Sequence, residues 1–160
     1  MAPKTTRATD VLNGAGVAYR VLLYEVSEKV GEGYGEAVAA AIGLPPSQVF
    51  KTLVAEVDGE PVVAIIPVDR RLSTKSMARA VGGKKCALAS PAAAERLTGY
   101  VTGGISPFGQ RRQMRVVVDI SASGLESIAV SGGRRGIQLE LAPRALLEMT
   151  DGSFASIAEA

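Results

Sequence analysis

Lys51 lies within Val49-Phe50-Lys51-Thr52-Leu53-Val54, an apolar, β-branched run that reads as a strand. Alternation puts Val49, Lys51 and Leu53 on one face and Phe50, Thr52 and Val54 on the other. An ammonium beside a packed sheet loses hydration, so it must snorkel to water, pair with a carboxylate or meet an anionic ligand. The pattern alone leaves these open. Two glycine loops are the other candidates for chemistry. In Gly103-Gly104-Ile105-Ser106-Pro107 the paired glycines let a ligand approach the backbone, and successive amides can form a donor site for a carbonyl oxygen or a phosphate. Its alternative is an ordinary tight connection. Ser131-Gly132-Gly133-Arg134-Arg135-Gly136 has the same character, with a hydroxyl in front and a cationic pair inside.

Arg111, Arg112, Arg115, Arg134 and Arg135 flank these loops. Such clustering serves a polyanion contact or a solvated basic face. Neither loop has the spacing of a Walker or dinucleotide fingerprint. With no histidine in the chain and a single cysteine, Cys86, Ser-His-Asp and Cys-His catalysis and histidine–zinc sites are excluded. An intramolecular disulfide is excluded too, which fits a reducing cytosol. Lys, Ser, Thr, Tyr, carboxylates, backbone amides and the substrate itself remain. The apolar surroundings of Cys86 favour a buried free thiol over a nucleophile.

The elements that must position these groups are legible in outline. At 160 residues, 47% hydrophobic, 21% charged and net +2, the chain reads as one globular domain over residues 1–160, without polycationic character. No apolar run reaches the roughly 20 residues of a spanning helix, and residues 1–20 do not read as a secretion signal. Helices are predicted at Thr6–Ala15, Glu36–Ile42, from a Ser73 cap to Val81, from Ser90-Pro91 to Thr98, and at Pro143–Met149. Strands are predicted at Tyr19–Val26, from Val49 to Val57, at Pro61–Val68, Cys86–Ala89, Arg115–Ile120, Ser127–Val130 and Ile137–Leu141. Asp58-Gly59 is a hairpin turn, Ser27–Gly35 is a polar loop carrying Tyr34, and Phe154–Ile157 docks as a last turn or strand. Interleaved short strands and helices make an α/β or α+β domain with a mixed sheet.

Phe50-Lys51-Thr52-Leu53, then Thr98-Gly99-Tyr100 running into Gly103 to Pro107, then Val130-Ser131-Gly132-Gly133-Arg134-Arg135-Gly136, together resemble the YbaK/EbsC family of aminoacyl-tRNA deacylases, relatives of the editing domain of prolyl-tRNA synthetases. The resemblance runs in order from the first helix to the C-terminus. It implies an α+β fold with a mixed, mostly antiparallel, barrel-like sheet flanked by helices. It implies a trans-acting deacylase for mischarged tRNA, with Cys-tRNA(Pro) the typical substrate, working in the cytoplasm without metal, cofactor or membrane. Aminoacylated tRNA is the implied partner, with prolyl-tRNA synthetase as a second.

By the same resemblance Lys51 matches the lysine that engages the acceptor-end nucleotide, with Thr52 beside it. Gly103, Gly104, Ile105, Ser106 and Pro107 match the Gly-x-x-x-P loop that holds the aminoacyl ester, with Lys51 and Gly103 in the catalytic roles. Tyr24, Tyr34 and Ser131 match further pocket positions, Tyr34 replacing a usual Phe. Arg111, Arg112, Arg134 and Arg135 are the expected tRNA contacts. Gln138 aligns with an aspartate of the cysteine-specific relative, exchanging an acceptor-only anion for a neutral amide, so the amino acid removed is left open. In this family the substrate's own thiol is thought to attack the ester; a substrate without one needs a water near the ribose hydroxyls. The alternatives are a tRNA-binding or synthetase-associated module without hydrolysis, and a sensor of free amino acid or nucleotide.

Overall fold

The computed structural model describes residues 5–26 and 31–160. Among them the helices are α1 (Arg7–Gly14), α2 (Tyr34–Ile42), α3 (Thr74–Ala80), α4 (Pro91–Thr98) and α5 (Pro143–Thr150). The strands are β1 (Arg20–Leu23), β2 (Phe50–Val57), β3 (Glu60–Pro67), β4 (Arg71–Leu72), β5 (Cys86–Leu88), β6 (Arg115–Asp119), β7 (Ile128–Ser131), β8 (Ile137–Leu141), β9 (Ser153–Ala155) and β10 (Ala158–Glu159). Short 3₁₀ turns occupy Pro46–Gln48 and Ile120–Gly124.

The strands make a five-stranded sheet ordered β5-β2-β3-β6-β9, a three-stranded sheet β1-β8-β7 and the pair β10-β4. Pairings β3·β6 and β6·β9 are parallel and the others antiparallel. The mixed, mostly antiparallel α+β architecture is as expected. The barrel-like arrangement needs correcting: the strands divide among separate sheets, and β5 and β9 remain the edges of the largest.

β3 explains why that sheet is two-sided. Val63 and Ile65 join a core with Phe50 and Val54 of β2, Val116 and Val118 of β6, Ile137 and Leu139 of β8, and Leu12 of α1. Val62, Ala64 and Ile66 enter a second core with Met77 of α3, Val117 and Ile157. A strand covered on both faces is apolar throughout rather than alternating. The β2–β3 turn uses Asp58 at φ 50° and Gly59 at φ 85°, the left-handed pair that a type I′ hairpin requires. The Asp58 carboxylate also accepts from the amides of Lys84 (3.0 Å) and Lys85 (2.9 Å), tying the hairpin tip to the start of β5.

Several boundaries shift. β1 is shorter than Tyr19–Val26 and leaves Tyr24 just past its end, where its amide bonds the Gly136 carbonyl at 3.0 Å. α2 begins at Tyr34, so this tyrosine is helical and not in the polar loop, whose residues 27–30 lie outside the described residues. The tail is docked as strands: Asp119, buried at the end of β6, accepts from the amides of Ile157 and Ala158 at 3.0 Å each. No helix among the described residues is long and apolar enough to cross a membrane.

Candidate functional site

A cleft of about 840 Å³ opens where the start of β2, α2, the segment after β3, α4 and the two glycine loops converge. Lys51 stands in its wall with Thr52, Leu53, Tyr34, Glu36, Asp69, Gly103, Ile105, Ser131 and Gln138. Lys51 is half-buried, and burial lowers the pKa of its ammonium while the Glu36 and Asp69 charges oppose that shift. Among the described residues it makes no ion pair within 4 Å. A partly desolvated cation with distant counter-charges is suited to an anion arriving from outside.

Two other wall residues present unanswered polar atoms. Thr52 Oγ1 and Gln138 Oε1 are buried and have no hydrogen-bond partner among the described residues. Buried polar atoms are nearly always paired, so unpaired ones lining a cleft mark where a ligand's polar groups belong. Gln138 faces the cleft because its neighbours Ile137 and Leu139 are sunk in the core. It pairs across the three-stranded sheet with Leu22 on β1 and Ser131 on β7. Glu140, on the same strand face, is taken up by Arg20 (3.3 Å) and by the Ser127 hydroxyl (2.7 Å).

Behind the wall, the Tyr24 hydroxyl is also buried without a hydrogen bond of acceptable geometry among the described residues. It is close enough to Tyr34 to act on it. Burial first, and then Tyr24, push the Tyr34 phenol far above its ordinary pKa, with Arg135 pulling the other way. The Tyr34 phenol therefore stays neutral at any physiological pH.

The first glycine loop divides its residues between cleft and interior. Gly103 and Ile105 line the cleft, whereas Gly104, Ser106, Pro107 and Phe108 are buried. The Gly104 amide donates to the Val101 carbonyl at 2.9 Å, closing a turn over Thr102 and Gly103. Gly103, at φ 90°, occupies the third position, where a type II turn needs a left-handed residue. Ser106 is fully buried: its Oγ accepts from the Phe108 amide (3.3 Å) and its carbonyl from Gln110 Nε2 (2.9 Å). Tyr100 bonds the Phe108 carbonyl and carries the Arg7 guanidinium 4.7 Å from its ring centre, fastening both ends of the loop to α1. Gly104, Ser106 and Pro107 thus build the loop, while Gly103 and Ile105 present it.

Residues 33–149 match the aminoacyl-tRNA editing domain family. The chain belongs to that family. It is 42% identical over 123 residues to EbsC of Enterococcus faecalis, whose name assigns it to the Cys-tRNA(Pro)/Cys-tRNA(Cys) deacylases, covering 76% of this chain and 75% of that protein. It is 33% identical over 117 residues to the multifunctional Ser/Thr-tRNA deacylase ProXp-y of Escherichia coli, covering 71% of this chain and 67% of that one. A crystal structure described as a trans-editing enzyme for prolyl tRNA synthetase superposes with a TM-score of 0.86 over 100% of this chain and 99% of that one; at 24% identity that likeness concerns the fold alone.

Within this editing-domain fold the expected arginines meet different partners. The Arg135 side chain reaches the Thr102 carbonyl at the cleft rim (3.1 Å), and Arg134 bonds the Arg135 carbonyl (3.0 Å). Arg112 lines a separate depression of about 400 Å³ beside the β2–β3 turn, with Asp58, Gly83, Gln113 and Arg115. The amides of Arg111 and Arg112 are anchored on the carbonyls of Thr98 and Leu97, and both side chains are exposed. Cys86 lies on β5 outside the cleft lining, and burial raises its thiol pKa. A raised thiol is a poorer nucleophile at neutral pH.

Sequence reasoning missed Arg7, Glu95 and Thr102, which hold the first loop, and Glu36 and Asp69, whose charges act on Lys51. One signal was present for Glu95. It is an acidic residue two turns upstream of the glycines, on a helix whose end the motif follows. Nothing in the sequence placed Asp69 in the same cleft wall as Lys51, because that approach is tertiary.

Proposed function

We propose that this chain is a single-domain, trans-acting aminoacyl-tRNA deacylase that hydrolyses mischarged tRNA, Cys-tRNA(Pro) foremost. The carrying observation is Lys51, half-buried and without an ion pair among the described residues, in one cleft with Gly103 and the unanswered atoms of Thr52 and Gln138. In this reading Lys51 holds a phosphate or base edge of the tRNA's terminal nucleotide. Thr52, Ser131, Ile105 and Gln138 surround the aminoacyl group, and Tyr34 with Tyr24 behind it closes the wall. The Gly103 amide faces the ester oxygen that gains charge, while Gly104, Ser106 and Pro107 keep the loop in shape.

The ester is already activated, so positioning and electrostatic support suffice. For a cysteinyl ester the substrate's sulfur attacks the carbonyl carbon. The ester C–O bond breaks, the thiol proton passes to the departing ribose oxygen, and the amino acid leaves as a cyclic thioester. For a substrate without a thiol, water takes the place of sulfur and the free amino acid is released. Arg111, Arg112 and Arg134 contribute affinity for phosphates, and prolyl-tRNA synthetase is the natural assembly that would supply the charged tRNA. The name of the Cys-tRNA(Pro)/Cys-tRNA(Cys) relative supports the cysteinyl substrate, and that of the Ser/Thr-tRNA relative argues for wider scope.

The test is a deacylation panel with purified protein over Cys-, Ala-, Ser- and Pro-charged tRNA. Faster loss of Cys from tRNA(Pro) than of the cognate Pro is the expected outcome. Binding of these tRNAs with no hydrolysis of any would establish the non-hydrolytic module instead.

A further inference from the structure

The residue before Gly103 is gripped on both sides. The Thr102 amide donates to Glu95 Oε2 at 2.7 Å and its hydroxyl donates to the same oxygen at 2.9 Å. The Thr102 carbonyl accepts from Arg135 Nε at 3.3 Å and Nη2 at 3.1 Å. Thr102 and Gly103 are the central residues of the turn closed by Gly104 on Val101. The peptide joining them is the one whose direction distinguishes a type II turn from a type I turn. A glycine at the third position can accept either direction, so sequence alone does not fix it.

A trans peptide carries its C=O and N–H on opposite sides. Pinning the Thr102 oxygen to a guanidinium therefore fixes the Gly103 N–H to point the other way. Among the described residues that N–H donates to nothing, and Gly103 lines the cleft.

We propose that Glu95 and Arg135 are positioning residues that clamp the Thr102–Gly103 peptide in one orientation, holding the Gly103 N–H ready for the ester oxygen. The inference rests on the deacylase reading and gives Arg135 a task other than phosphate binding. The two partners come from different parts of the chain, α4 and the second glycine loop, so the clamp joins both glycine loops at one site. The lowered pKa of the Glu95 carboxyl, caused first by the Thr102 amide and then by its hydroxyl, agrees with a carboxylate kept ionised in that grip.

The experiment compares wild type, Glu95→Gln, Arg135→Lys and Arg135→Ala by steady-state kinetics on charged tRNA(Pro) and by the Gly103 amide resonance in ¹⁵N-labelled protein. The clamp predicts a fall in kcat of about 100-fold for Arg135→Ala, the scale of losing one oxyanion donor. KM and its salt dependence should barely change, and Arg135→Lys should recover part of the loss. It also predicts one narrow Gly103 signal in wild type and a broadened or doubled one in Arg135→Ala and Glu95→Gln. An Arg135→Ala enzyme with wild-type kcat and a raised, less salt-dependent KM would make Arg135 a phosphate ligand and overturn the proposal. A wild-type protein that hydrolyses no charged tRNA defeats the deacylase reading, and the clamp is then decided by the Gly103 signal, whose invariance across the variants overturns it.

Discussion

The two glycine loops touch backbone to backbone at Gly104 and Arg134: a Cβ built on Gly104 would lie 2.6 Å from the Arg134 Cα and 2.9 Å from its carbonyl carbon. No side-chain rotation relieves that overlap, so one loop must move. Gly104→Ala is expected to destabilise the protein by about 2 kcal/mol, as overpacking does, and to lower Tm by about 5 °C. Thermal and urea melts of the variant check this. A wild-type Tm would mean that the loops separate freely.

Asp119 ties the C-terminal strands to β6, and its pKa predicts when that tie fails. Burial alone would raise the carboxyl pKa, but bonds from Ser121, Ile157 and Ala158 outweigh it and the net shift is downward. A folded pKa below the unfolded one gives stability that is present above the unfolded value, near 3.9. That stability is lost as pH falls through the folded value. Asp119→Ala should cost about 2 kcal/mol at pH 7, and the gap between variant and wild type should narrow as pH falls below the unfolded value and through the lowered folded one. Urea melts across that range measure it; a gap unchanged with pH would assign the stabilisation to packing.

Much of the frame was legible because local signals agreed with tertiary need. Ser73 and Ser90 cap α3 and α4 as read, Asp58-Gly59 makes its turn, and the β2 strand carries Lys51 into a cleft. The lapses have physical causes. Arg71–Leu72 is too short a strand to carry periodicity and exists only through pairing with the tail. Tyr34 reads as loop because of the glycines around it, yet it opens α2 from a left-handed Gly33. The second glycine of the first loop looks like room for a ligand, whereas Gly104 makes room for the other loop. The arginines that flank the two loops in sequence turn to different partners, Arg135 to Thr102 and Arg112 to the depression beside the hairpin.

Gln138 is expected to set which amino acid is removed. Its Oε1 is an acceptor in the cleft left unanswered among the described residues, and a carboxylate there would hold an α-ammonium by a stronger, charge-assisted bond. Gln138→Asp should raise the ratio of kcat/KM for Cys- over Ala-charged tRNA(Pro). An unchanged ratio would show that Gln138 does not read the amino acid.

Arg111 and Arg112 should act on tRNA affinity alone. Their exposed side chains stand on anchored backbone away from the cleft lining. The double alanine variant should bind tRNA more weakly, with a salt dependence flattened by roughly 0.7–0.9 per lost phosphate contact. An unaltered slope would place the tRNA on another face.

The central claim, that Lys51 and the Gly103 turn make a deacylating cleft, is tested most directly by single-turnover hydrolysis of Cys-tRNA(Pro) by wild type and Lys51→Ala. The account predicts rapid release of cysteine by wild type and loss of about 100-fold or more in Lys51→Ala, by analogy with removal of one electrostatic contact at a reacting centre. The fold should survive, with a stability change of about 1 kcal/mol, since mainly the lysine stem packs. A folded Lys51→Ala protein that turns over Cys-tRNA(Pro) at the wild-type rate would contradict it.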